Sequence, residues 1–405
     1  MIKRHQPLND YYQLLLTFFL LLLFSCAPKV PITVYVDPFI GTAGTGHTFP
    51  GATMPFGMVQ LSPDTRDSGL NNSSGYHSSN PTILGFSHTH LSGTRAIDYG
   101  DILVMPMSGE IQIMPGDEHA PETGYRSAFD HGTETAEPGY YAVTLEDDNI
   151  HAELTVSSRV GMHRYTFSSS EPAHLIFDLQ HGLGDNVIAS SLAITGKNKI
   201  SGMRRSNGWA KDQQIYFTAE FSKPFDSFGI YIDDQLNQEL LSASGKNIKG
   251  IFTFDDPGSP LLVKVAISAV DIAGAGKNLV AEIKGWDFDY IRLRALQAWA
   301  EELSAVTIKG GTLEEKTNFY TALYHSFIAP NMYQDVDGRY RGADLNIHTL
   351  LVNENMYTVF SLWDTFRATH PLFTVLKPSF AEELVRTLLT KAAEGNLLPA
   401  WELAA

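Results

Sequence analysis

The sequence predicts a multidomain β + α protein, an antiparallel β-sandwich followed by a helical domain. Two observations carry this. Apolar residues alternate in short runs from Val34 to about Ala273, and after Gly276 they recur every three or four residues. With 405 residues, 43% hydrophobic and 18% charged, the chain has ample core for both parts.

The N-terminus stands apart from the fold. Lys3 and Arg4 precede an apolar run from Leu14 to Phe24 that is too short to span a bilayer comfortably. The run ends LFSC, and Cys26 is the single cysteine. A leucine three residues ahead and a serine directly ahead resemble a bacterial lipobox, in which cleavage precedes a cysteine whose thiol is lipidated. Residues 1–25 are therefore expected to be a lipoprotein signal peptide, Cys26 the lipid attachment and 26–33 a tether to the membrane. The expected location is the bacterial cell envelope, periplasm or outer-membrane surface, reached by export. The absence of a second cysteine fits an exported chain that uses no disulfides.

Period-2 runs predict the strands of the sandwich, residues 34–273. They are Tyr141, Val143, Leu145; Ala152, Leu154, Val156; His163, Tyr165, Phe167; Ile215, Phe217, Ala219, Phe221; and Val263, Val265, Ile267. Turn clusters such as LEDDN, SEP and DDPGSP separate them. Residues 274–311 read as a linker with a helix, in which Phe288, Ile291, Leu296, Trp299 and Leu303 form an apolar stripe. From residue 312, Thr312 and Glu315 predict a capping box opening a helix that stops at Pro330. Ser379 and Glu382 predict a second box, with Gly395 at the helix end. About 130 residues follow Gly276, room for roughly four helices. The chain stops at LLPAWELAA without a polar tail or helix stop, so the helical domain, 312–405, is expected to be incomplete.

Composition narrows the partners. A net charge of −16 argues against nucleic acid, whose phosphates need a Lys/Arg surplus, and neutral polymers fit better. Several motifs fail on chemistry. GTAGTGHTFPG lacks the spacing of a phosphate loop and reads as a glycine-rich turn where backbones approach closely. DVDGRYRG has calcium-loop spacing at first, but Arg339 and Asn346 stand where oxygen ligands belong, so a tight turn is expected. A serine hydrolase lacks its G-x-S-x-G, and cysteine catalysis is excluded once Cys26 carries lipid.

Two stretches stay open. In GFSHTHLSGT, His88 and His90 would project the same way from an extended segment, either as ligands or as ordinary half-buried residues, and no third metal ligand stands at fixed spacing. In SLWDTFRATHPL, Trp363 offers a flat face for the C–H side of a sugar while Asp364 and Arg367 offer bidentate hydrogen bonds for hydroxyl pairs. A core tryptophan and a structural Asp–Arg pair explain the same residues.

Taken together, VDPFIGTAGTGHTFPGATMPFGMVQLSPDTR, SGYHSSNPTILGFSHTHLSGT, YGDILVMP, EPGYYAVTL, FYTALYHSFIAPN, DVDGRYRG and SLWDTFRATHPL resemble, in order, successive blocks of glycoside hydrolase family 92. These are calcium-dependent exo-α-mannosidases, and the resemblance runs from about Val36 to the last residue. It implies a β-sandwich packed on an (α/α)6 toroid, of which this chain would hold the first helices, and removal of terminal α-linked mannose from glycans with inversion. It implies calcium as cofactor, with the ligands and both catalytic carboxylates expected beyond Ala405, so the chain alone is expected to be inactive. Asp364, Trp363 and Arg367 would line the mannose pocket, and the loop of His88 and His90 would shape or touch the sugar. α-1,2-specific members often carry a tryptophan before SGYH, where this chain has Asn71 and Asn72. A non-catalytic surface glycan-binding module is the alternative function.

Overall fold

A computed structural model describes residues 31–404, apart from 67, 68, 70–72, 257 and 259. Cys26, the signal segment, most of the tether, Asn71 and Asn72 lie outside the described residues.

The period-2 runs form strands because alternate side chains can reach one buried face. Among the described residues they build two antiparallel sheets. The first places Leu103–Ser108, Ala173–Asp178 and Ile248–Phe254 at its centre, with Gln60–Asp64 and Gly85–Ser87 toward one edge. The second runs through Lys199–Asn207, Gln213–Phe221, Leu261–Ser268, Val160–Phe167, Ile150–Val156 and Tyr140–Leu145. Phe177 and Phe252 from the first sheet meet Phe217 and Phe221 from the second, the Phe177 and Phe217 rings stacking 6.1 Å apart. This interdigitation makes the sandwich core.

Three helices follow directly. α1 (Ile272–Glu282) straddles the boundary expected at residue 273; its two glycines hide the helical pattern, and Asp271 caps it by accepting from the Gly274 amide at 2.6 Å. It lies on the second sheet, where Asn278 donates to the Ile267 carbonyl at 2.9 Å. α2 (Phe288–Leu303) presents the expected apolar stripe. Its Trp299 is fully buried, donates to the Thr53 carbonyl at 2.7 Å and packs at a tilt against Tyr324, ring centres 4.3 Å apart. Losing a buried aromatic of this kind costs about 3–5 kcal/mol. α3 (Leu313–Ser326) opens with both arms of the Thr312–Glu315 capping box, as expected, and ends four residues before Pro330.

The remaining helices are α4 (Leu362–Thr365), α5 (Thr369–Leu376) and α6 (Pro378–Gly395). The second capping box does not form. Pro378 is pre-set for the first helical position, so α6 starts before Ser379, and no side-chain cap closes it. Asn396, not Gly395, takes the left-handed position at the far end, with φ 60°. DVDGRYRG is a tight turn, closed by Gly338 donating to Asp335 at 2.9 Å.

The sandwich and the helical part share a second apolar cluster. Leu91, Ala96 and Tyr99 from one sandwich loop and Ala210 from a hairpin pack against Tyr333, Tyr340, Met356, Leu403 and Ala404. The Ala404 amide donates to the Tyr99 hydroxyl at 3.3 Å, and Tyr333 donates to the Ala404 carbonyl at 3.1 Å.

Candidate functional site

The GFSHTHLSGT stretch leaves strand Gly85–Ser87 and turns into the protein. His88 is fully buried: its Nδ1 donates to the Ile102 carbonyl at 2.7 Å, which leaves Nε2 to accept from His163 at 3.1 Å. His163 Nδ1 in turn accepts from the Tyr165 hydroxyl at 2.8 Å. Burial pushes His88 down to about 4 and His163 well below the usual range, so both stay neutral. His90 goes elsewhere, to the Gln60 carbonyl and Asp64 Oδ1, both at 2.8 Å. His181 takes the second Asp64 oxygen at 2.8 Å. Burial alone would raise the Asp64 carboxyl, but His90 and His181 outweigh it and hold it below the usual range. The expectation that His88 and His90 face a sugar together is therefore not met. Every ring nitrogen is committed inside the sandwich, and the two imidazoles brace the loop from behind.

Asp101 closes that loop. Its carboxylate is fully buried and accepts from Thr89 Oγ1 at 2.7 Å, from Arg204 at 2.8 Å and from Gln213. Arg204 also bridges to Asp185 at 2.6 Å. Arg204 and Gln213 belong to the strands Lys199–Asn207 and Gln213–Phe221, so one carboxylate ties the loop to both arms of a hairpin. The tip of that hairpin is held again by buried Asp98, which accepts from the Ala210 amide at 2.6 Å and the Tyr99 amide at 2.9 Å. A Cβ at Gly208 would lie 2.8 Å from Asp98, so only glycine lets the tip approach so closely.

What the hairpin tip presents is Trp209, 56% exposed. Its ring meets Trp401 at 4.8 Å and 88°, and Trp401 lies 6.3 Å from Trp363 with the rings 29° apart. Trp363 is 65% exposed. Trp401 sits in a two-residue strand paired with Phe360–Ser361, directly ahead of α4. Because successive strand residues point to opposite faces, Trp401 goes outward while Glu402 goes inward, onto Lys391 at 2.7 Å and Thr358 at 2.8 Å. Asp364 is exposed beside this wall, accepting from the Ser361 hydroxyl at 2.5 Å. Arg367 is exposed too and lies 5.3 Å over the Phe366 ring. No Asp364–Arg367 ion pair forms among the described residues, because α4 stops after one turn. The structure thus brings Trp363 and Asp364 together at a surface and adds Trp209 and Trp401, which sequence reasoning missed. The one available signal was a tryptophan beside a glycine in a turn, SNGWAKD.

Two other spaces fit a sugar site poorly. A cavity behind Tyr99, Tyr333 and Ala404 holds only about 30 Å³, the room of a water molecule. A groove of about 760 Å³ between the sandwich edge and α2, lined by Lys284, Tyr290, Arg294 and Glu301, contains none of His88, His90, Trp363, Asp364 and Arg367.

Among the described residues, Asp344, His348 and Glu394 bring three possible ligand atoms within 4.8 Å of one another. Calcium takes six to eight oxygens. Here one donor is an imidazole, and the Glu394 oxygens already accept from Tyr340 at 2.6 Å and from the Ala343 amide at 2.9 Å. The group does not fit calcium.

The carboxylates behind the wall are spoken for. Burial raises Asp101 and Glu402, each offset by a cation, Arg204 and Lys391 respectively. Burial pushes Asp98 up to about 6, partly offset by its two amide donors and reinforced by Asp185 and Asp101. Since this is above its ordinary 3.8, the folded state holds the Asp98 proton more tightly, and Asp98 costs stability as pH rises from about 4 to about 6. The Ala210 and Tyr99 amide resonances should titrate together with a midpoint near 6 and stop doing so in Asp98→Asn. A midpoint below 4 would contradict this environment.

The glycosyl hydrolase family 92 N-terminal domain matches residues 35–268, and the family 92 catalytic domain matches 274–405. A family 92 α-mannosidase from Bacteroides thetaiotaomicron, solved with mannoimidazole, is 37% identical with a TM-score of 0.89, over 92% of this chain and 50% of that one. A family 92 inverting mannosidase from Bacteroides thetaiotaomicron VPI-5482 is 29% identical with a TM-score of 0.82, over 93% and 50%. An uncharacterized secreted glycosidase of Arthroderma benhamiae is 27% identical over 331 residues, 74% of this chain and 42% of the relative. The chain spans about half the length of these proteins. Matched by both family models from residue 35 to residue 405, the chain belongs to glycoside hydrolase family 92.

Proposed function

We propose that this chain forms the sugar-holding part of an α-mannosidase that removes terminal α-linked mannose with inversion. The observation that carries the reading is the exposed Trp363 face with Asp364 beside it, at the seam of sandwich and helices. A pyranose buries its C–H face on the indole, while the carboxylate accepts from a pair of hydroxyls. Arg367 donates from the same segment. The relatives' names support mannose as the sugar, one being solved with mannoimidazole and another called an inverting mannosidase. The loop of His88 and His90 acts through its shape, by holding Tyr99 and Leu91 against the segment that carries Trp401.

Inversion needs two carboxyl groups about 6.5–9.5 Å apart, one protonating the leaving oxygen and one activating water. We assign neither role among the described residues, because Asp98, Asp101 and Glu402 are each committed to buried bonds. Calcium and the (α/α)6 toroid remain implications of the family. Export is supported by the secreted relative, and we propose that Cys26 carries the lipid that anchors the chain to mannose-rich glycans at a bacterial envelope. Cys26→Ser should lose incorporation of labelled fatty acid and release the protein from membranes; unchanged labelling would remove the anchor.

The purified 405-residue chain should bind mannose, read by tryptophan fluorescence, yet release none from α-mannosides with or without calcium. Asp364→Ala should weaken that binding by tenfold or more, the order expected for a lost charge-assisted contact, with little change in unfolding midpoint. Mannose release by the chain would overturn the division of labour, and undiminished binding by Asp364→Ala would remove Asp364 from the site.

A further inference from the structure

A chain of neutral polar groups joins the two sheets through the middle of the sandwich. His88, directly after the strand Gly85–Ser87 of the first sheet, and His163, inside Val160–Phe167 of the second, bring their Nε2 atoms within 3.1 Å. Both rings and Tyr165 are fully buried. Each link has one direction. The Ile102 carbonyl can only accept, so His88 Nδ1 carries a proton and its Nε2 is bare. His163 supplies the proton between the two Nε2 atoms, and its own Nδ1 accepts from the Tyr165 hydroxyl. The chain is then full. One more proton on either imidazole forces the Tyr165 oxygen to accept and strands the hydroxyl hydrogen among buried side chains, beside a buried charge.

Nothing in contact compensates that charge. Among the described residues no carboxylate hydrogen-bonds to either ring, and both oxygens of Asp64 are taken by His90 and His181 at 2.8 Å each. Burial is the main reason that neither ring takes a proton near neutrality; the Ile102 carbonyl and Asp64 favour one on His88, His90 opposes it, and His88 opposes one on His163. On its own sheet His163 is paired in register with Val263 and Leu154, while Arg164 turns to the other face, onto Glu153.

The pair is also tied to the loop. The His88 amide donates to the Asp101 carbonyl and the Gly100 amide to the Thr89 carbonyl, both at 2.9 Å. His88 therefore cannot turn toward water without pulling on the segment that sets Leu91 and Tyr99 against the helical part.

We propose that the His88–His163 bond is an acid-sensitive latch between the two sheets, closed near neutrality and opened by proton uptake, which releases the loop 88–101 reversibly as the medium acidifies. The latch does not depend on the mannose reading. A free histidine takes its proton near 6.5, whereas in the closed latch His88 is held down to about 4 and His163 well below 6.5. The open state thus binds more protons across this window, so the latch is at full strength above 6.5 and weakens as pH falls toward 4.

Amide hydrogen exchange of the 405-residue chain, corrected for the intrinsic pH dependence of exchange, reads the opening of residues 88–101. The opening constant should be flat above about pH 7 and should rise between about pH 6 and pH 5 by more than tenfold per unit, up to the roughly hundredfold limit of two protons. The strand Ile248–Phe254 should keep its protection over the same range. The amide of His163→Gln can donate to His88 and accept from Tyr165 without titrating, so in this variant the rise should drop below about tenfold per unit. A pH-independent opening constant, a rise equally steep in His163→Gln, or an equal loss of protection in Ile248–Phe254 overturns the latch. If His163→Gln does not fold, the imidazole resonances of the wild-type chain give the answer. At about pH 5.5 they should show His88 protonated on Nδ1 alone and His163 on Nε2 alone, and a charged ring on either in the folded protein overturns the latch.

Discussion

The seam depends on one buried carboxylate, Asp101. Removing a carboxylate from water is expensive, and the cost is met only if every lone pair finds a donor. Asp101 finds three, from Thr89, Arg204 and Gln213, and Arg204 also pairs with Asp185. Each donor sits on a different piece of chain: the loop after the His88 strand and the two arms of the Trp209 hairpin. The penalty of burial is thereby turned into a geometric requirement, since none of these pieces shifts without stranding a charge. Breaking such a set costs about 3–5 kcal/mol.

From that anchor the surface follows. With the loop fixed behind by His88, His90 and Asp101, its front residues Leu91, Ala96 and Tyr99 pack on Tyr333, Leu403 and Ala404. Strand alternation then sends Glu402 in toward Lys391 and Trp401 out toward Trp363. The open tryptophan corner is thus the visible side of a network whose polar groups are hidden. This explains why the most conspicuous polar motif, SHTH, is not at the surface: its imidazoles serve as supports, with His88 and His163 kept neutral by burial and His90 set against Asp64.

Much of the architecture was legible because its physics is local. Alternation in Tyr140–Leu145 or Leu261–Ser268 and the Thr312–Glu315 box each express a single element's own requirements. Where local rules compete, the pattern misleads: Pro378 overrides the Ser379 cap, and two glycines conceal α1. Family-level blocks singled out Trp363 and Asp364, which lie side by side at the surface. They could not reveal Trp209 or the bond that holds its hairpin tip, because these arise from contacts across more than 100 residues of chain, such as Asp98 with Ala210. For the same reason two adjacent histidines looked like a shared face, when the strand ends at Ser87 and the pair diverges into different hydrogen-bond sets.

The central claim is that the sandwich loop, the hairpin and the segment carrying Trp401 form one mechanical unit fastened by Asp101. Amide hydrogen exchange of Asp101→Asn against the wild-type chain tests it most directly. Exchange should accelerate together in the three segments 88–101, 208–213 and 401–404, while the strand Leu261–Ser268 keeps its protection. Acceleration confined to 88–101, with 401–404 exchanging as in the wild type, would show that the wall stands independently of the carboxylate and would contradict the account.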